Sequence, residues 1–221
     1  MFFAIHLRYY QTISIFIEVD NKTFEPKDNI IMYFSQINVK KENALTYRSA
    51  SQLYKTNRSF YIGRKINENL QKKRAMKTIG TKLNELKYSY LVYDENGAHL
   101  YQDSPDEKNL KQMIAEFAIL ANSYIGEYLN VFLCGEGIFR TCNAREWLNT
   151  LNFNIKGEDL INKIINEGIS ANYIENVSTH DLVGSNEYTH FTSPIRRVSD
   201  CICHYLLKFI YLQSQNILVD K

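Results

Sequence analysis

From Asp106 to Tyr128, apolar residues recur every three to four positions: Leu110, Met113, Ile114, Phe117, Leu120, Ala121, Tyr124, Ile125 and Tyr128. That is the period of one face of an α-helix. A helix this long, with so continuous a stripe, has to be covered along its whole span. The other elements must therefore be arranged around it.

What flanks it is mixed. Thr12–Asp20 (TISIFIEVD) and Asn29–Val39 (NIIMYFSQINV) read as strands, and the turn-like NKTFEPKD between them predicts an antiparallel pair. Leu45–Tyr54 reads as a short helix opening at Thr46. Arg64–Lys87 has helical spacing at Ile66, Leu70, Met76, Ile79, Leu83 and Leu86, with a basic outer face that is either solvated or an RNA contact. Tyr88–Tyr101 alternates on both sides of Asn96-Gly97, the strongest hairpin signal in the chain. Shorter helices are expected at Ala144–Leu151 and Gly157–Asn166, and a last helix from Ser193 to about Ser214. No repeat or low-complexity linker divides the chain. The expected fold is α+β, with antiparallel strands in a mixed sheet packed by helices, as one domain over residues 1–221.

The balance of charge excludes a bulk polyanion binder. A net charge of +2 means that any affinity for nucleic acid must come from local clustering. The 16 Tyr and 12 Phe can fill a core or stack on bases, and core packing is the ordinary use. The four cysteines form no CxxC and have no His or Cys partner at zinc spacing, so no structural zinc is expected. They read as reduced thiols of an intracellular, cytoplasmic protein. The opening MFFAIHLRYYQ is interrupted by His6 and Arg8 and lacks a cleavage site, so it reads as strand. No stretch is apolar enough for a transmembrane span, and no membrane partner is expected.

One segment points to chemistry: EYTHFTSPIRRVSD, Glu187–Asp200. Ser193 is a good N-cap and Pro194 suits the first helical position. Arg196 and Arg197 would then stand in the first turn, on the positive end of the helix dipole. That placement is locally unfavourable unless an anion sits there, and the free N–H groups of a first turn favour one. The alternative is a structural Arg196–Asp200 pair. Downstream, Ile195, Val198, Ile202, Tyr205, Leu206 and Phe209 would form a buried stripe, with Arg196, Asp200 and His204 as a polar seam beside it.

YTHFTSPIRR, followed by Asp200 and His204, resembles the signature of the ribonuclease II, or RNB, exoribonucleases. Other segments agree in order. Ala171, Tyr173, His180 and Tyr188 resemble the family's Ala-x-Tyr and its following His. AEFAILAN resembles its Glu-Glu-Phe-Met-Leu-Leu-Ala-Asn helix, GIFRTC its arginine-bearing stretch with Arg140 retained, and ALTY its Leu-Thr-Tyr. The resemblance implies a 3′–5′ exoribonuclease that digests single-stranded RNA to nucleoside monophosphates. It implies that Arg196 is catalytic, holding the scissile phosphate and the charge that develops on it. Tyr47 and Glu116 match positions that read the ribose. Tyr188, His190, Thr192, Ser193 and Arg197 would shape the RNA path. Read from the residues alone, the alternatives are a solvated helix carboxylate for Glu116, a core ring for Tyr47 and a satisfied buried histidine for His204.

The chain also departs from the pattern. The family implies Mg²⁺ held by clustered aspartates upstream of the first matching strand. Those ligands are not found in this chain, since Asp20 and Asp28 do not match the pattern. The implied partners are single-stranded RNA and a separate chain supplying the aspartates. Cold-shock and S1 domains are not expected within the 221 residues. The resulting expectation is a partial RNB-type domain, inactive alone, or an RNA-binding remnant without catalysis. Leu182 and Val183 replace Gly-Leu, Ala115 replaces the first Glu, Cys142 a His and Val198 an aromatic residue.

Overall fold

The computed structural model describes residues 11–36, 40, 44–77, 89–144 and 169–216, together with 159, 162, 163, 166 and 167. The elements in chain order are β1 (Gln11–Val19), β2 (Pro26–Gln36), α1 (Tyr47–Leu53), α2 (Arg58–Ala75), β3 (Ser89–Asp94), β4 (Gly97–Gln102), α3 (Pro105–Phe132), β5 (Glu136–Thr141), β6 (Asn172–Asn176) and α4 (Val198–Ser214). The class is α+β. Among the described residues the strands form three separate antiparallel pairs, β1–β2, β3–β4 and β5–β6, rather than one mixed sheet.

The 28 residues of α3 organise the rest. Its start is a capping box: Ser104 accepts from the Glu107 N–H, the Glu107 carboxylate accepts from the Ser104 N–H, and Pro105 follows the cap. The N-terminal half packs on α1 and α2 through Leu110, Met113 and Phe117, which meet Ala50, Tyr54, Ile66 and Leu70. The C-terminal half, through Ile125 and Leu129, meets Ile13 of β1, Phe139 of β5, Phe191, and Cys203, Leu207 and Ile210 of α4. One helix thus serves two adjoining cores. Each fully buried aliphatic side chain contributes about 1.5–3 kcal/mol.

β1 and β2 pair through Ile13↔Phe34, Ile15↔Met32 and Ile17↔Ile30, and several of these residues face the α3 and α4 core. In the intervening turn Asp20 Oδ1 accepts from the Lys22 and Thr23 N–H groups at 2.8 and 2.7 Å. In the second hairpin the two-residue loop is Glu95-Asn96, one position earlier than Asn96-Gly97. Gly97 opens β4 at φ 110°. That backbone region suits glycine.

α1 is capped by Thr46, as its sequence predicts. α2 starts six residues before the expected Arg64, because Asn57 accepts from the Ser59 and Phe60 N–H groups and caps it. Its expected extension to Lys87 lies outside the described residues beyond Lys77, as does most of Ala144–Leu151. Of Gly157–Asn166, only Asp159, Asn162, Lys163 and Asn166 are described, all helical. Cys142 and Cys203 are buried, whereas Cys134 and Cys201 are exposed.

The last helix corrects two expectations. It begins at Val198, not Ser193, and its N-cap is Arg197, whose backbone is extended (φ −130°, ψ 122°). The expected outer stripe is also not buried: Ile195, Val198, Ile202 and Tyr205 are 60%, 76%, 42% and 64% exposed. The physical reason is that α4 carries apolar residues on two faces. The core takes the one with Cys203, Leu207 and Ile210.

Candidate nucleic-acid interface

The segment from Glu187 to Ser193 is irregular, yet clamped from three sides. From β5, the Arg140 N–H donates to the Tyr188 carbonyl at 2.7 Å, and the Ile138 carbonyl accepts from Thr189 Oγ1 at 2.6 Å. From α3, Asn122 donates to the Tyr188 hydroxyl at 3.0 Å and accepts from the Phe191 N–H at 3.0 Å. From α4, His204 Nε2 donates to the Phe191 carbonyl at 2.9 Å, and its ring stacks on Phe191. His204 is therefore a satisfied, half-buried histidine. The segment also lies directly on α3 at Gly126, where a Cβ would stand 2.2 Å from the Glu187 carbonyl oxygen.

After this clamped stretch the chain makes a tight turn. The Ser193 carbonyl accepts from the N–H groups of Arg196 and Arg197 at 3.2 and 3.3 Å. The turn closes on Asp200, which is fully buried. Its Oδ1 accepts from the Ser193 N–H at 2.6 Å and from Arg197 Nη2 at 2.9 Å, and its Oδ2 lies 2.7 Å from Arg197 Nε. The structural ion pair is thus Arg197–Asp200, not Arg196–Asp200. The acidic side chain sits in the first turn of α4, where the dipole favours it. Both arginines precede the helix. Local Ser-Pro signals propose a helix at Ser193, but the extended Arg197 backbone, fixed through its own side chain on Asp200, delays it. Arg196 is exposed, with one long 3.5 Å contact from Nη2 to Ser193 Oγ. Thr192 and Ser193 are half-buried at the base of the turn.

Rings surround this base. The Tyr188 ring stands edge-on to His180 and His190, with centroids 5.2 and 5.7 Å apart. His190 Nδ1 is hydrogen-bonded to the Tyr173 hydroxyl, and the Arg140 guanidinium lies 4.9 Å from the Tyr173 ring centroid. Burial, reinforced by Arg140, lowers His180 to about 4. Burial, reinforced by Arg197 and Arg140, lowers His190 to about 4 as well. Both imidazoles are neutral near pH 7, and the tautomer of His190 sets which partner donates in its hydrogen bond with Tyr173. The permanent positive charge here belongs to Arg140, Arg196 and Arg197.

Glu116 and Tyr47 sit elsewhere. Glu116 is 2% exposed. It accepts from Arg74 Nε at 3.1 and 2.9 Å, from Arg74 Nη2 at 2.5 Å and from Gln112 at 2.8 Å. It is neither a solvated carboxylate nor an open acceptor. Tyr47 opens α1, 46% exposed, with Lys111 Nζ 5.4 Å from its ring centroid. Glu116 lines a groove of about 860 Å³ whose walls include Lys27, Lys73, Arg74, His180 and Asp181. Through His180 and its contact with Tyr188, this groove adjoins the ring cluster that leads to the turn. Sequence reasoning missed two supporting residues, Asn122 and Gly126. Asn122 closes the AEFAILAN stretch and was the one available signal.

The described residues do not fit the magnesium that this kind of site implies. Among them no three His, Cys, Asp or Glu side chains are grouped to hold a metal ion. Asp20 caps a turn, while Asp103, Asp106, Glu116 and Asp200 pair with Lys111, Lys55, Arg74 and Arg197. Among the described residues no helix is long and apolar enough to cross a membrane.

The α+β fold is shared with several solved structures. Mycoplasma genitalium RNase R, in complex with ribose-methylated single-stranded RNA, superposes with a TM-score of 0.66 at 20% identity, over 94% of this chain and 38% of that one. The Dss1 exoribonuclease from Candida glabrata gives 0.66 at 19% identity, over 94% and 30%. Yeast Ssd1, described as a pseudonuclease, gives 0.63 at 16% identity, over 95% and 30%. In sequence, Ribonuclease R of Mycoplasma genitalium is 43% identical over 61 residues, 28% of this chain and 8% of that protein. The RNB domain family model matches residues 8–213, and the chain belongs to that family. It spans well under half the length of these relatives.

Proposed function

We propose that the chain is the RNA-gripping, C-terminal part of an RNB-type 3′–5′ exoribonuclease domain, acting on single-stranded RNA. The observation that carries this reading is the turn itself. Asp200 fixes Arg197 and the Ser193 backbone, and Arg196 stands exposed in the turn so closed. A guanidinium with unused donors on a preorganised base suits a phosphate group. The exposed face of Tyr173 suits stacking. In this reading Arg196 is the phosphate clamp and Arg197 holds it in position, while Tyr188, His190, Thr192 and Ser193 build its support.

The ribose role of Glu116 and Tyr47 is part of the same proposal. Glu116 would then act from within its Arg74 pair, as one wall of the groove. Mg²⁺ would supply the activated water, and the aspartates that hold it would come from a further segment or a separate chain. On its own the chain is assigned binding alone, and Arg196 would act in catalysis only in the completed site. Release of nucleoside monophosphates would need the completed site. A catalytically silent RNA-binding module is the second reading, favoured by the engagement of the local carboxylates in caps and ion pairs.

The test incubates the purified 221-residue chain with Mg²⁺ and a 3′-labelled single-stranded RNA. Binding without release of labelled mononucleotide is expected. Release by this chain alone overturns the division of labour, and absence of binding overturns the RNA reading.

A further inference from the structure

α4 has two apolar seams, and only one is used. Cys203, Leu207 and Ile210 face the core. On the opposite side Val198, Ile202, Tyr205, Phe209 and Leu212 follow at spacings of four, three, four and three. Val198, Ile202 and Tyr205 are largely exposed, and Phe209 and Leu212 are half-buried. Ile195, in the preceding turn, is 60% exposed. A 4-3 alternation is the pattern along which one helix receives another. A contiguous exposed seam of this kind marks an interaction face rather than scattered surface residues.

Charge selects the occupant. The sole acidic residue of α4, Asp200, is buried and committed to Arg197. Among the described residues of α4 and the turn before it, the exposed charges are cationic: Arg196 just before the helix and Lys208 along it. A second copy of α4 would bring no carboxylate to meet them. RNA would find one exposed aromatic, Tyr205, and a half-buried Phe209 among branched aliphatic side chains, which is a poor stacking track. We propose that the outer face of α4 docks an amphipathic helix of another protein chain, its apolar seam flanked by glutamate or aspartate. Helix-in-groove recognition of this kind uses anchors at i, i+3/i+4 and i+7, with flanking charge choosing the partner. The proposal shares Arg196 with the RNA reading of the turn, whereas Lys208 and the seam itself are separate from it.

The experiment uses the full chain and two labelled synthetic helical peptides of about three heptads. Both carry leucine at the seam positions. One has glutamate at the flanking positions and the other lysine. Fluorescence anisotropy should show the glutamate peptide binding at least about tenfold more tightly. Ile202→Asp should abolish binding, and Lys208→Glu should shrink the preference several-fold, with circular dichroism unchanged in both variants. Equal or absent binding of the two peptides overturns the proposal, as does a fully competent Ile202→Asp. It is also overturned if sedimentation shows a wild-type dimer that Ile202→Asp dissociates, which would assign the face to a second copy. Loss of single-stranded RNA affinity on Tyr205→Ala would assign it to nucleic acid and overturn it likewise.

Discussion

Asp200 holds Arg197 with both carboxylate oxygens, Oδ2 2.7 Å from Nε and Oδ1 2.9 Å from Nη2, and the same Oδ1 accepts the Ser193 N–H at 2.6 Å. One fully buried carboxylate thus ties together the start of the turn, its end and the entry into α4. Replacing Asp200 by Asn keeps the shape but removes the charge that offsets Arg197. The expected loss of stability is about 2–3 kcal/mol, because the arginine retains some solvent. Urea denaturation checks this. A change below about 0.5 kcal/mol would show that the pair does not organise the turn.

Gly126 is where α3 and the motif segment touch. A methyl group there meets the Glu187 carbonyl oxygen at 2.2 Å, and backbone must move to admit it. Gly126→Ala should therefore destabilise the protein by about 2–4 kcal/mol, although alanine is the better helix former. A stabilised Gly126→Ala in thermal unfolding would contradict the packing described.

The Arg74–Glu116 pair bridges α2 and α3 at the groove wall, with side chains 11% and 1% exposed. Glu116→Gln strands a buried guanidinium and should cost about 3 kcal/mol, whereas the double change Arg74→Met, Glu116→Gln should cost less than the sum. A double-mutant cycle of denaturation energies measures the coupling. Because Glu116 is proposed to act on RNA from within this pair, the double variant should also bind single-stranded RNA more weakly.

Acid should destabilise the fold in a defined window. His180 and His190 are lowered to about 4 by burial, and His204 is lowered by burial too. The unfolded chain, with histidines near 6.5, binds more protons between those values. The stabilising contribution is complete above about pH 6.5 and is lost as pH falls toward 4. Urea midpoints should fall steadily from pH 7 to pH 5, and less so in His180→Asn. A flat midpoint over that range would mean that the rings are not buried as described.

How much of this was legible follows from the range of each signal. α3, the β1–β2 pair and the β3–β4 hairpin write their periods into local sequence, and Thr46 announces its own helix. The start of α4 was not legible, because Ser193-Pro194 is a good local helix start, and what overrules it is a buried ion pair. The buried face of α4 was ambiguous since Val198, Ile202 and Tyr205 repeat as regularly as Cys203, Leu207 and Ile210. Motif resemblance brought Tyr188, His190, Ser193 and Arg197 to one place, and it named Glu116 without revealing its partner. Arg74 lies 42 residues away in sequence, beyond any local pattern.

The central claim, that the turn after the clamped segment grips a phosphate through Arg196, is tested most directly by salt-dependent binding of single-stranded RNA to wild type and Arg196→Ala. Arg196 is exposed and carries little of the fold, so stability should be unchanged. Affinity should fall by about tenfold, and the slope of log affinity against log salt should drop by about one phosphate contact. An Arg196→Ala protein with wild-type affinity and slope would contradict the account.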